Sequence, residues 1–215
     1  MDEKDLEPDT TERMIRYYHR EVQGGDARKR AINKCGHISN KLRYVRAMFP
    51  DAKFVHIVRD CLPVVASWMA IMDEQMGQVL YWPETAFPCF WVLPAPAHAD
   101  RAQVFRNDRR VYPGGGQDIL VDYWRETNRN IPIQLADTPE QLYTVRYEDL
   151  CQDPAGTLHR IFEFCELGAI EPNIRDDYGR EVGDQNEKFR SILGEAEIRR
   201  YLERARDVRD QFGYR

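Results

Sequence analysis

Arg59 and Ser67 stand eight positions apart in the stretch KFVHIVRDCLPVVASW, residues 53–68, and together they suit a grip on phosphate. Phe54, Val55, Ile57 and Val58 form a nearly continuous apolar run, the pattern of a parallel strand covered on both faces. Asp60 suits the cap of a following helix, and Pro63 its first turn. A helix that starts just past the carboxyl end of a strand offers unpaired N–H groups and a partial positive charge to an anion. Arg59 would add a forked cation there, and Ser67 a hydroxyl further along. The same residues equally describe an ordinary strand–helix unit, because strand ends carry Arg without any ligand.

The elements around this stretch alternate. Asp9 with Glu12 has the form of a capping box, opening a helix with Ile15, Tyr18 and Val22 on one face, and Gly24-Gly25 ends it. Residues 30–34 are a short strand candidate. Residues 38–49 read as a helix with Ile38, Leu42, Val45 and Phe49 inward, and Pro50-Asp51 turns the chain into the strand at Lys53. The order α, β, α, β, α implies an α/β fold, a parallel sheet flanked by helices. Residues 82–117 interrupt the rhythm with five prolines and Gly114-Gly115-Gly116. This Pro-rich insertion carries Trp82, Phe87, Phe90 and Trp91 beside Tyr81, a set suited either to an acceptor pocket or to a satellite apolar cluster. A further helix is predicted over residues 119–129, with Tyr123 and Trp124 packed. A strand follows over residues 143–147. A helix capped by Asp153 then carries Leu158, Ile161, Phe162 and Cys165 inward and closes at Gly168.

The bulk composition sets limits. The chain has 215 residues, enough for one domain with a sizeable core, so residues 1–215 read as a single domain. The 31 basic and 36 acidic residues leave a formal net charge of −5, which argues against general nucleic-acid binding and leaves room for a local basic cleft. The five cysteines are odd in number and lack C-x-x-C spacing, so neither a disulfide framework nor a zinc site is indicated. No apolar run has membrane-spanning length and the acidic start is not a signal peptide, so the expected location is cytoplasmic.

Three segments resemble the sulfotransferases, which take their sulfuryl group from PAPS. FPDAKFVHIVRD…VVAS is similar to that family's 3′-phosphate motif. YTVRYEDLCQDPAGTLHRIFEFCEL is similar to its later strand–turn–helix, written RYEDL with a following D-P pair. Asn186-Glu187-Lys188-Phe189, with the final Gly213-Tyr214, resembles its C-terminal N-x-K-W segment and closing Gly-Tyr. Cys61 stands where the family usually has Pro or Gly. The resemblance implies a P-loop NTPase-like fold and sulfuryl transfer from PAPS, with PAP as product, to a hydroxyl or amine of a small-molecule, glycan or peptide acceptor. Arg59 and Ser67 would hold the donor's 3′-phosphate, and Lys188 would close over the nucleotide. Lys34, in NKCGH, would stabilise the reacting end, and His37, whose side-chain type titrates near neutrality, would be the base. The RYEDL segment itself reads as structural.

One family feature has no counterpart. Residues 1–33 contain nothing like the Gly-rich loop G-x-x-R-S-G-T-T that cradles the 5′-phosphosulfate, so the expected sheet lacks its first strand and phosphate loop. A chain begun late, a catalytically inactive relative that keeps nucleotide binding or serves as an interaction protein, and a second chain supplying the loop are all compatible with this. A small-molecule kinase on the same fold would need a Walker-type G-K-S/T, which the sequence does not have.

Overall fold

The computed structural model describes residues 3–75, 78–81, 103–106, 118–168 and 186–214. Helix α1 is Pro8–Tyr17, continued by a wide turn over Tyr18–Val22. A 3₁₀ turn at Gly36–Ile38 leads to α2, Leu42–Met48. Strand β1 is Phe54–Val58 and runs into α3, Cys61–Gln75. Two short strands, β2 (Gln78–Tyr81) and β3 (Gln103–Arg106), pair antiparallel. Helix α4 is Asp118–Gln134, followed by β4 (Leu142–Arg146), α5 (Tyr147–Gln152) and α6 (Pro154–Phe164). A 3₁₀ turn at Asn186–Ser191 precedes α7, Glu195–Gln211.

β1 and β4 pair in parallel with Phe54 opposite Leu142 and Val58 opposite Arg146, so both carboxyl ends open on the same side of the molecule. This is the α/β arrangement expected from the alternation. Its main core lies between α3, α4, the 186–191 turn and α7, around Val58, Leu62, Val65, Val121, Trp124, Phe189, Tyr201 and Val208. A smaller cluster joins Leu42, Phe54, Ile131 and Leu135. Ion pairs line the α4–α7 seam. Arg125 and Arg129 both meet Asp207, and Arg204 meets Asp122.

Several sequence expectations need correction. Residues 30–34 form no strand; they are irregular, and Ile32 is 78% exposed, so they have neither ladder partner nor buried face. β1 is not covered on both faces. Phe54, His56 and Val58 are buried beneath the helices, whereas Ile57 on the other face is 53% exposed. Asp9 is not a cap: α1 begins at Pro8 after Glu7, with Asp9 inside its first turn. The helix predicted over 38–49 is broken after Ile38 and resumes at Leu42. α4 runs past Arg129 and through Pro132, because Ile131 and Leu135 bury in the smaller cluster. The 82–117 stretch contains β3, and its aromatic set, apart from the backbone of Tyr81, lies outside the described residues.

α6 starts as the sequence requires, with Asp153 Oδ1 accepting from the Gly156 N–H at 2.9 Å and Pro154 in first position. It closes before Gly168. Glu166 takes the left-handed conformation (φ 55°) and the Leu167 N–H reaches back to the Phe162 carbonyl. Lys53, at 2.5 Å, and Arg30, at 3.4 Å, meet the Glu166 carboxylate.

Candidate functional site

The strand–helix junction at Arg59-Asp60 is fixed by four other segments. The Trp124 indole donates to the Arg59 carbonyl at 2.9 Å. The Asp60 N–H donates to Glu148 Oε1 at 3.3 Å. The Asp60 carboxylate takes a bidentate bond from Arg209, at 2.8 and 3.0 Å. Tyr214, 4% exposed, donates to Glu148 Oε2 at 2.7 Å, with the Val58 carbonyl 3.1 Å away. Burial, and then the adjacent Glu148 charge, push the Tyr214 phenol well above its ordinary range, so it stays a donor.

Asp60 does cap α3, as its position suggested. Its Oδ1 accepts from the Cys61 N–H at 2.6 Å, and its carbonyl accepts from Val64. The first N–H of the helix is therefore already taken by a carboxylate. An anion at this end would depend on Arg59 and on groups along the flank of α3, not on the helix tip. Cys61 is fully buried, and burial pushes its thiol far up.

Arg59 itself is held differently from Arg209. Its Nε donates to Asn186 Oδ1 at 2.8 Å, and its guanidinium lies over the Tyr147 ring at 4.5 Å. Among the described residues no carboxylate pairs with it. Ser67 is exposed on α3, six residues past its start, a rise of about 9 Å along the helix axis. Lys188 is exposed two residues from Asn186, in the turn that Phe189 anchors to the core. The structure thus ties Arg59 to the turn that carries Lys188, through Asn186, and places Ser67 further along α3.

The other two candidates are not placed in this way. Lys34 is exposed in the irregular segment. His37 belongs to the Gly36–Ile38 turn, and its side chain lies outside the described residues. His56, on β1, is buried. Its Nε2 lies 2.9 Å from Asn128 Oδ1, whose amide nitrogen donates to the Trp124 carbonyl, so the network assigns the proton to Nε2. Burial pulls its pKa down, and the Asn128 bond opposes this only in part.

Residues 10–182 match the sulfotransferase domain family. The chain belongs to that family. It is 28% identical over 156 residues to omega-hydroxy-beta-dihydromenaquinone-9 sulfotransferase Stf3 of Mycobacterium bovis, and equally to that of Mycobacterium tuberculosis. These matches cover 69% of this chain and 32% of each relative, so the chain spans about a third of the length of the curated relatives it matches. Its fold is similar to that of a sulfotransferase domain from the curacin biosynthetic pathway, at a TM-score of 0.58 and 16% identity, over 99% of this chain and 76% of the other. This likeness supports the P-loop-like α/β fold.

Three segments that lie far apart in sequence, and that resemble sulfotransferase motifs, meet at one point. Glu148 from RYEDL, Asn186 from the N-x-K segment and the closing Tyr214 all converge behind Arg59. Sequence reasoning assigned the first to structure and gave the others no role. The only signal that could have grouped them was their common membership of the three family segments. Among the described residues no helix is long and apolar enough to cross a membrane.

Proposed function

We propose that the chain binds PAPS and takes part in sulfuryl transfer to a hydroxyl or amine of a small-molecule, glycan or peptide acceptor in the cytoplasm. Arg59 and Ser67 hold the donor's 3′-phosphate. Lys188 closes over the nucleotide. In the reaction the bond from sulfur to the 5′-phosphate oxygen breaks and a bond from sulfur to the acceptor heteroatom forms. The acceptor proton passes to His37, and Lys34 offsets the charge that develops on the leaving phosphate. One observation carries this reading: Arg59 stands at the carboxyl end of a parallel strand, oriented by an amide and a phenol ring, with no described carboxylate opposing its charge. Those surroundings suit an anionic ligand.

A second reading is nucleotide binding without turnover. The exposed, irregular setting of Lys34 supports it. Calorimetric titration of the 215-residue chain with PAP, beside Arg59→Ala, tests the shared part. Binding that is lost in the variant is the expected result, and a folded wild-type chain that ignores PAP overturns both readings. Release of PAP from PAPS on incubation with hydroxyl and amine acceptors then separates them: release favours the enzyme, and binding without release favours the second.

A further inference from the structure

Arg59 and Asp60 are chain neighbours, and each is tied to an opposite-type group in a different way. Asp60 meets Arg209 directly, carboxylate to guanidinium, with both bonds of the fork used. Arg59 instead meets Asn186, and only behind that amide stands a carboxylate. Asn186 Nδ2 donates to Glu148 Oε1 at 2.8 Å while its Oδ1 accepts from Arg59 Nε at 2.8 Å. The amide orientation is fixed by its neighbours, since a flip would set oxygen against carboxylate and NH₂ against guanidinium.

The difference has a chemical consequence. A carboxylate in direct contact would neutralise Arg59 and occupy a terminal nitrogen as well as Nε, as Asp60 does for Arg209. The amide passes on the alignment set by Glu148 and leaves the charge available. Nε is engaged, Tyr147 covers one face, and no described residue accepts from the terminal nitrogens. Those two nitrogens form the edge that binds phosphate in a bidentate manner. Glu148 is itself held on both oxygens, by the Asp60 N–H and Asn186 on one and by Tyr214 on the other, and its side chain is only 20% exposed.

We propose that Glu148 and Asn186 are positioning residues for the 3′-phosphate site, a relay in which a half-buried carboxylate orients an amide and the amide aims Arg59. This rests on the reading of Arg59 as the 3′-phosphate ligand. It predicts a defect confined to ligands that carry that phosphate, which general loosening of the fold would not produce.

The test is a pair of titrations, with PAP and with adenosine 5′-phosphate, which lacks the 3′-phosphate. They are run on the wild-type chain, Asn186→Ala, Glu148→Ala and Glu148→Gln. Asn186→Ala is expected to weaken PAP by about tenfold, the loss of one bond to a charged group, while adenosine 5′-phosphate stays within about twofold. Glu148→Gln, whose carbonyl oxygen still accepts from Asn186, keeps most of the preference that Glu148→Ala loses. If Glu148→Ala does not fold, the Asn186→Ala pair decides. A wild-type chain that prefers PAP, with the preference intact in Asn186→Ala, overturns the positioning role alone, as does equal weakening of both nucleotides. A wild-type chain with no preference for PAP overturns the 3′-phosphate reading and this inference together.

Discussion

Arg59 is anchored by side chains from α4, α5 and the 186–191 turn, whereas Lys34 stands exposed in an irregular stretch tethered mainly at its ends. Asn33 bonds to Tyr18, Gln23 to the Lys29 carbonyl, and Arg30 to Glu166; among the described residues these are the tethers of that stretch. Both cations are proposed to meet the same donor molecule. A group that is already oriented keeps most of its interaction energy on binding, and a mobile lysine loses part of it to ordering. The Arg59 end should therefore dominate nucleotide affinity, and the Lys34 end should matter only once a reacting group is present.

The largest expected effect tests how rigid the anchored end is. Arg209→Leu strips a partly buried carboxylate of its bidentate partner and should lower stability by roughly 3 kcal/mol, read from the urea midpoint. Replacing both partners, Asp60→Asn with Arg209→Met, should recover part of that loss. A midpoint unmoved by Arg209→Leu would mean that the junction is not held as described.

Next comes Arg59→Ala, which should weaken PAP by roughly ten- to a hundredfold with little change in the denaturation midpoint. Comparable affinity in wild type and variant would remove the contrast between the two ends.

A smaller, pH-dependent effect comes from beneath β1. The unfolded chain protonates His56 near its ordinary value of 6.5, and burial holds the folded residue below that. Between the two values the unfolded state binds more protons. The His56 contribution is therefore fully present above about pH 6.5 and is lost as pH falls toward the lowered folded value. Melting temperatures at about pH 7.5 and about pH 5.5 should differ more in wild type than in His56→Gln. Equal differences would count against this.

Asp153→Ala removes the α6 cap and should lower stability by about 1 kcal/mol, seen as a shift in melting temperature. Smallest of all, Lys34→Ala should leave both the midpoint and the PAP affinity where they are, while lowering any transfer from PAPS. A clear loss of PAP affinity in Lys34→Ala would place that lysine on the nucleotide and erase the distinction drawn here.

Much of the frame was legible because it depends on local rules. The apolar run at 54–58, the Asp60 and Asp153 caps and the amphipathic spacing of α6 each rest on a few adjacent residues, and each stands close to where it was expected. The failures also have local causes. Residues 30–34 carry a single strand former, Ile32, and among the described residues it finds neither a ladder partner nor a buried face. Pro132 argues for a helix end, and only the burial of Ile131 and Leu135 carries α4 past it. The site divides along the same line. The Arg59–Ser67 spacing could be read directly, while the Glu148–Asn186–Arg59 chain joins residues 38 and 127 positions apart and leaves no periodic trace.

The sequence by itself determined the strand–helix grammar, the family motifs and the residue types available for phosphate, because these depend on neighbours within a turn or two. The tertiary structure alone decided which arginine is paired to a carboxylate and which, among the described residues, meets an amide instead. That outcome depends on whether a carboxylate or an amide arrives from a distant segment, and charge compensation is a property of distance in space, not of order along the chain.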